Sequence, residues 1–258
     1  MIGALGQEVV WGVSRLGDFS RFVAASLLGA FRTRRLMRRW GRAIYEQGVL
    51  CLPVVVIVGL FTGLVLGLQG YHVLSRFGSE GLLGSLVSLS LVREMAPVLA
   101  ALMLVGQAGS ALAAELGTQR NSEQIVALQT MGIDTHGFLV TPRLLAALVV
   151  FPLQTALFAL IGLVGGSLSG SWLLGLDSGV YWSAVERSLE PGDMRECFSK
   201  AAAFGVLTMA ICAYQGYHAD RCRTATGAQA VSRSTTLAVV YSSVVVLAVD
   251  YAITSFFV

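Results

Sequence analysis

VLCLPVVVIVGLFTGLVLGL, residues 49–68, runs for twenty positions without a charge. A hydrocarbon core about 30 Å thick is crossed by roughly 20 apolar residues in a helix. The run is continuous rather than alternating, which points to a helix and not to a barrel strand. Four further charge-free runs follow, at 95–114, 144–176, 201–217 and 234–249. Over the whole chain 55% of residues are hydrophobic and 13% charged, against about 25% charged in a soluble domain. The fold class is therefore an all-α membrane protein. Five transmembrane helices are predicted, near 45–71, 82–114, 144–172, 196–218 and 235–257. Pro152 sits inside the longest run and predicts a kinked or tilted helix.

Arginine placement orients the chain. Arg15, Arg21, Arg32, Arg34, Arg35, Arg38, Arg39 and Arg42 precede the first span. Basic residues accumulate on the cytoplasmic side. Counting through five spans puts 115–143 and 219–234 on that side too, for thirteen arginines against three in the opposite loops. The N-terminus is expected in the cytoplasm and the C-terminus outside. The first residues lack the pattern of a cleavable signal. Instead Val9, Val13, Leu16, Phe19, Val23, Leu27 and Phe31 follow a helical period. This predicts an amphipathic helix in the membrane interface, with a packed cytosolic helix as the alternative. Residues 1–42 are read as this helix and a basic linker, and residues 43–258 as the membrane domain.

Between spans two and three lies a polar island that holds a short helix of its own, about 121–132. Asn121 is a candidate N-cap, with Gln124 closing a capping box. Ile125, Leu128 and Met131 form one stripe, and Gly132 supplies a left-handed stop. Connecting loops are usually short, so a helix here suggests a handle for a motor subunit.

The motif search excludes several classes. A P-loop ends in Lys followed by Ser or Thr. The one lysine, Lys200, is followed by Ala201 with no glycine-rich turn before it, so any ATP site belongs to another chain. Neither Cys51, Cys197, Cys212 and Cys222 nor His72, His136 and His218 show metal-ligand spacing. No nucleophile elbow or paired-carboxylate pattern argues for an enzyme.

Charges inside the apolar runs do carry a signal. Arg93 and Glu94 interrupt the second, Lys200 opens the fourth and Asp250 lies in the fifth. An intramembrane charge costs at least ~2.5–3.5 kcal/mol, so it should meet a cavity or a partner. Neighbours on a helix point about 100° apart, so Arg93 and Glu94 do not readily neutralise each other. Lys200 either joins this chemistry or snorkels to the interface. Asp250 is read as structural, near the outer helix end. Gly59, Gly63 and Gly67, with Gly162, Gly165, Gly166 and Gly170, predict close helix packing, or for some of them a dimer seam.

The stretches GLVLGLQGY (63–71), LVREMAP (91–97), GSALAAE (109–115) and SRSTT (232–236) closely resemble the MlaE (YrbE) permease family, from about residue 40 to the end. These are membrane subunits of MCE-type ABC transporters of Gram-negative envelopes and plastids. The resemblance implies an inner-membrane homodimer, each copy with an interfacial helix and five spans. It implies a cytoplasmic ABC ATPase dimer gripping the coupling helix and holding the ATP and Mg. A STAS-domain protein on that ATPase and a periplasmic MCE-domain ring complete the set. The implied function is phospholipid transport between inner and outer membranes, maintaining outer-membrane lipid asymmetry.

By matching positions, the implied lipid pocket takes Leu66, Tyr71, Val73, Leu74 and Phe77 with Arg93, Glu94 and Lys200. ATPase coupling falls to Glu123, Ile125, Leu128, Met131 and Asp134. This chain departs from the family at Gln107, where an arginine is usual, and over residues 216–222. The other readings are an ion-coupled secondary lipid transporter using Glu94 and Asp250, though no repeated halves are evident, and a noncatalytic membrane scaffold.

Overall fold

The computed structural model describes residues 14, 17–26, 28, 29, 36–221 and 227–257. In chain order its main elements are α1 (Met37–Ser75), α2 (Glu80–Asn121), α3 (Gln124–Thr130), α4 (His136–Leu173), α5 (Ser178–Ser188), α6 (Pro191–Tyr217) and α7 (Ala228–Phe257). No strand occurs among the described residues. Of these helices α1, α2, α4, α6 and α7 are long and apolar enough to cross a membrane. Each begins before its charge-free stretch does. At 38 residues, α4 is about 57 Å long at 1.5 Å per residue. No break separates residues 42 and 43, because α1 begins in the arginine-rich segment and passes straight through.

Enclosure is unequal. α6 is the most buried span, whereas α1 and α7 are the least. An element that supplies buried charge has to be surrounded by its partners, and α6 carries Asp193, Glu196 and Lys200, all buried.

Two prolines shape the helices through the carbonyls they leave free. Proline has no N–H and crowds the carbonyl four residues earlier. π-turns at Leu91–Met95 and His136–Val140 immediately precede the helical stretches that carry Pro97 and Pro142. The affected carbonyls are those of Arg93 and Phe138, and each meets a cation. Lys200 Nζ donates to the Arg93 carbonyl at 2.9 Å. Arg39 Nη1 donates to the Phe138 carbonyl at 3.0 Å. Pro152, by contrast, lies within the regular α-helix Thr141–Ser167, and the departures from α geometry are π-turns at its two ends.

The glycines of α1 form an intrachain seam with α4. A Cβ at Gly63 would collide with the Gly162 carbonyl, and one at Gly165 would come within 2.5 Å of the Leu60 carbonyl. Gly59 faces Phe158 and Gly67 faces Gly166 and Ser169 in the same way. Backbones in contact gain dispersion where lipid gives no hydrophobic drive.

At the arginine-rich end, residues 17–26 are helical. Phe22 is 4% exposed and its ring lies within 5.1 Å of His136, 5.5 Å of Tyr214 and 5.6 Å of Tyr217. Phe19 packs edge-on against Tyr214 at 5.5 Å. This part of the N-terminal helix therefore packs onto the ends of α4 and α6. The predicted stripe positions Val9, Val13, Leu16, Leu27 and Phe31 lie outside the described residues.

Replacing Gly63 with alanine should destabilise the protein by about 1–3 kcal/mol, since the offending atom is backbone and overpacking has no rotamer to relax into. Thermal unfolding in detergent measures it, with Gly106→Ala as the control, since a Cβ there meets nothing within 4 Å.

Candidate functional site

Lys200 is 0% exposed and does not snorkel. Its ammonium lies 2.9 Å from Glu196 Oε1, 3.1 Å from Glu94 Oε1 and 3.5 Å from Asp250 Oδ1, besides the Arg93 carbonyl. Thr254 Oγ1 donates to Glu94 from α7 at 3.4 Å. α2, α6 and α7 thus converge on one ammonium. Asp250, read from the sequence as structural, faces this cluster.

Arg93 points elsewhere. Its Nε donates to Asp193 Oδ1 at 2.7 Å. Asp193 is held by the start of α6, where Glu190 and Asp193 form a capping box around Pro191. The predicted separation of Arg93 and Glu94 is borne out in the contacts: one side chain reaches the first turn of α6, the other its third. Both remain about half exposed, at 50% and 46%. The six ionisable groups, Arg93 and Lys200 against Glu94, Asp193, Glu196 and Asp250, carry a formal charge of −2.

The five apolar positions, four on α1 and Phe77 in the turn just after it, divide between two faces. Leu66, Tyr71 and Leu74 are half-buried against a core that includes Leu83, Val87 and Tyr181. Val73 and Phe77 are exposed, at 54% and 77%. Phe61 and Val65 continue the exposed surface at 61% and 49%.

α3 differs from its sequence reading at its start. Asn121 is the last residue of α2, not an N-cap. The chain turns at Glu123, whose φ of 58° is left-handed, and no side chain caps α3. Its end matches the expectation: Gly132 has φ 72°, with Gly132 N–H bonded to the Gln129 carbonyl at 3.0 Å and Ile133 N–H to the Leu128 carbonyl at 3.1 Å, a Schellman closure. Two of the three stripe positions face inward. Ile125 is 0% exposed and Leu128 packs on the same core. Met131, 65% exposed, and Val126, 41% exposed, present the outer surface. Asp134 is occupied locally, accepting from His136 N–H at 3.1 Å.

A latch ties α3 to α6. Gln129 Nε2 donates to Tyr217 Oη at 2.9 Å, and Thr135 Oγ1 lies 2.9 Å from the same oxygen. Arg120 bridges Asp220 at 2.6 Å. Burial raises the Asp220 carboxyl, but the hydrogen bond and charge of Arg120 outweigh it and hold it below its ordinary value. Tyr217 and Asp220 fall in the segment where this chain departs from the family pattern. Gln107, the other departure, is exposed in a π-turn, Val105–Gly109.

With the geometry in place, comparison with known proteins is decisive. The sequence profile of the family described as permease MlaE matches residues 40–256. This chain belongs to the MlaE permease family. The intermembrane phospholipid transport system permease protein MlaE of Haemophilus influenzae is 38% identical over 98% of this chain and 96% of its own length. A probable ABC transporter permease protein of Rickettsia bellii is 36% identical over the same shares. The chloroplastic protein TRIGALACTOSYLDIACYLGLYCEROL 1 of Arabidopsis thaliana is 31% identical over 82% of this chain and 59% of its own length. This MlaE-family member is accordingly a multi-pass membrane permease, a transporter component.

Asp193 and Glu196 were missed by sequence reasoning. Glu196 stands four residues before Lys200, the spacing of a helical ion pair, and Glu190-Pro-Gly-Asp193 reads as a helix start. Both signals were available.

Lys200→Met should lower unfolding stability by about 3–5 kcal/mol, because the carboxylates around it lose their counter-ion. Glu94→Gln, at a half-exposed partner, should cost about 1 kcal/mol or less. Denaturation of the two variants in the same detergent checks the order.

Proposed function

We propose that two copies of this chain form the membrane core of an ABC transporter that moves phospholipid between the inner and outer membranes and sustains outer-membrane lipid asymmetry. The near full-length match to a permease of intermembrane phospholipid transport carries this reading. The arginine bias places the N-terminus in the cytoplasm and the C-terminus in the periplasm, and the cytoplasmic membrane is where such a subunit works. ATP and Mg sit on a separate ATPase dimer, with a STAS-domain protein bound to it and an MCE-domain ring on the periplasmic side. The N-terminal 42 residues serve as the interfacial segment and residues 43–258 as the transporting domain.

The cargo chamber is built between copies. α1 and α7 leave the most surface uncovered, and Val73, Phe77, Phe61 and Val65 supply a wall for acyl chains. Leu66, Tyr71 and Leu74 back that wall from within. Arg93 offers a guanidinium to the headgroup phosphate. Glu94 is suited to an ammonium of the same zwitterion. Lys200 works behind them, holding Glu94 in place.

Force enters at α3. Val126 and Met131, with Glu123 and its left-handed turn, face the ATPase, while Ile125, Leu128 and Gln129 fasten α3 to the body and Asp134 starts the next helix. Through Tyr217 the displacement reaches α6, one helix that carries Lys200 and Asp193 toward its other end. A helix of this length transmits a push without needing a chain of loose contacts.

Met131→Asp should therefore leave the fold intact and reduce lipid-stimulated ATP turnover of the assembled complex at least about tenfold, the loss expected of a buried contact. Ile125→Asp should instead abolish folded protein by burying an unpaired charge. Size exclusion and ATPase assays separate the two. Gln129→Ala combined with Tyr217→Phe should keep the ATPase bound yet lower transport per ATP hydrolysed, measured as lipid transferred between vesicles. Unchanged coupling in that pair would reject the latch.

A further inference from the structure

The arginine-rich ends of α1, α2 and α4 surround a cavity of about 440 Å³ that the transport reading does not use. Its ionisable lining is Arg38, Arg39, Arg42, Arg143, Glu46 and Glu115, with a formal charge of +2. Both glutamates are already bridged, Glu46 by Arg42 at 2.7 Å and Glu115 by Arg143 at 2.5 Å. Two of the guanidiniums are fixed in place. Arg39 donates to the Phe138 carbonyl freed by Pro142 and lies over the Phe138 ring at 3.2 Å. Arg143 donates to the Leu139 carbonyl at 2.8 Å. Anchored guanidiniums with an excess of positive charge suit a phosphate, which they bind through charge-assisted hydrogen bonds.

The surroundings favour a lipid over a soluble anion. Arg38, Arg42, Tyr45, Val49 and Leu52 follow one another along α1 at three- and four-residue steps, and all are exposed. Tyr45, Val49 and Leu52 are 55%, 50% and 39% exposed. The stripe is cationic at its start and apolar for the next two turns, the profile of a headgroup followed by its chains. A smaller adjoining cavity shares Glu46, Glu115 and Arg143 and is lined by Gln47. Gln47 is 5% exposed, and its side-chain oxygen is buried without a partner. A headgroup hydroxyl would satisfy it.

We propose that this cavity binds the headgroup of an anionic phospholipid of the surrounding leaflet, as a resident lipid distinct from the cargo. It lies at the end of α1 opposite Leu66–Phe77, and it requires neither the direction of transport nor the sidedness of the chain. Bound there, the lipid bridges α1 to the first turns of α4, a few residues from α3.

Native mass spectrometry of the purified protein, titrated with phosphatidylglycerol, phosphatidylethanolamine and inorganic phosphate, tests it. Selective retention of phosphatidylglycerol is expected. Arg38→Gln with Arg42→Gln should weaken that retention about thirtyfold, about fivefold per arginine, while the matching lysine pair keeps most of it. Arg42 is 82% exposed, so the fold does not depend on it, and Arg38→Gln alone gives a second reading of about fivefold. Equal retention of the two lipids, or unchanged retention in the glutamine pair, overturns the proposal. Displacement of phosphatidylglycerol by an equal concentration of inorganic phosphate assigns the site to the free ion and overturns it as well. A photocrosslinker at Met37, which is 80% exposed, should capture lipid; capture of a protein partner instead would overturn it.

Discussion

A single buried ammonium, that of Lys200, ties three helices of this permease together. It joins α6 to α2 through Glu94 and the Arg93 carbonyl, and to α7 through Asp250. In a low-dielectric setting such a group is tolerated only when it is paired and hydrogen-bonded; here α2 supplies the hydrogen bonds, and ion-pair partners come from α2, α6 and α7. The proline at position 97 is part of the same device. By releasing a backbone carbonyl inside an apolar segment, it creates an acceptor that only a buried donor can satisfy.

The same logic repeats at the other end of the molecule, where Pro142 frees the Phe138 carbonyl and Arg39 takes it. The two ends differ in the sign of the surplus. Around Lys200 carboxylates outnumber cations; around Arg39 the reverse holds. On the proposed reading the surplus of carboxylate suits Glu94 to a cationic group, and the surplus of arginine suits the other end to an anion. α6 connects the first of these regions to Tyr217 and so to α3, which makes it the structural spine between the surface handle and the charged cluster.

Much of this was legible in the residues themselves. Five spans follow from charge-free runs, because burying charge in hydrocarbon is costly at any position. Arg93, Glu94 and Lys200 stand out for the same reason. Helix ends were less legible. Arg38, Arg39 and Arg42 read as a linker, although arginine is a good helix former and the helix simply continues into the interface. Likewise the span was expected to begin near 196, whereas the helix starts at Pro191, so Asp193 read as part of an acidic outer loop. Asn121 looked like an N-cap because its side chain permits that role, but the turn falls two residues later at Glu123. Which residues of α3 face outward was hidden as well: Ile125 and Leu128 of the apolar stripe fasten the helix to its own body, while Met131 of the same stripe is exposed.

The scarcity of lysine has a practical consequence. Lys200 is the one lysine in the sequence, and its amine is wholly enclosed. Amine-selective reagents therefore find no exposed side-chain amine, and any label acquired at that position marks a moment when the three helices around it have parted. The chain carries its own gauge of opening, readable by chemistry without an added probe.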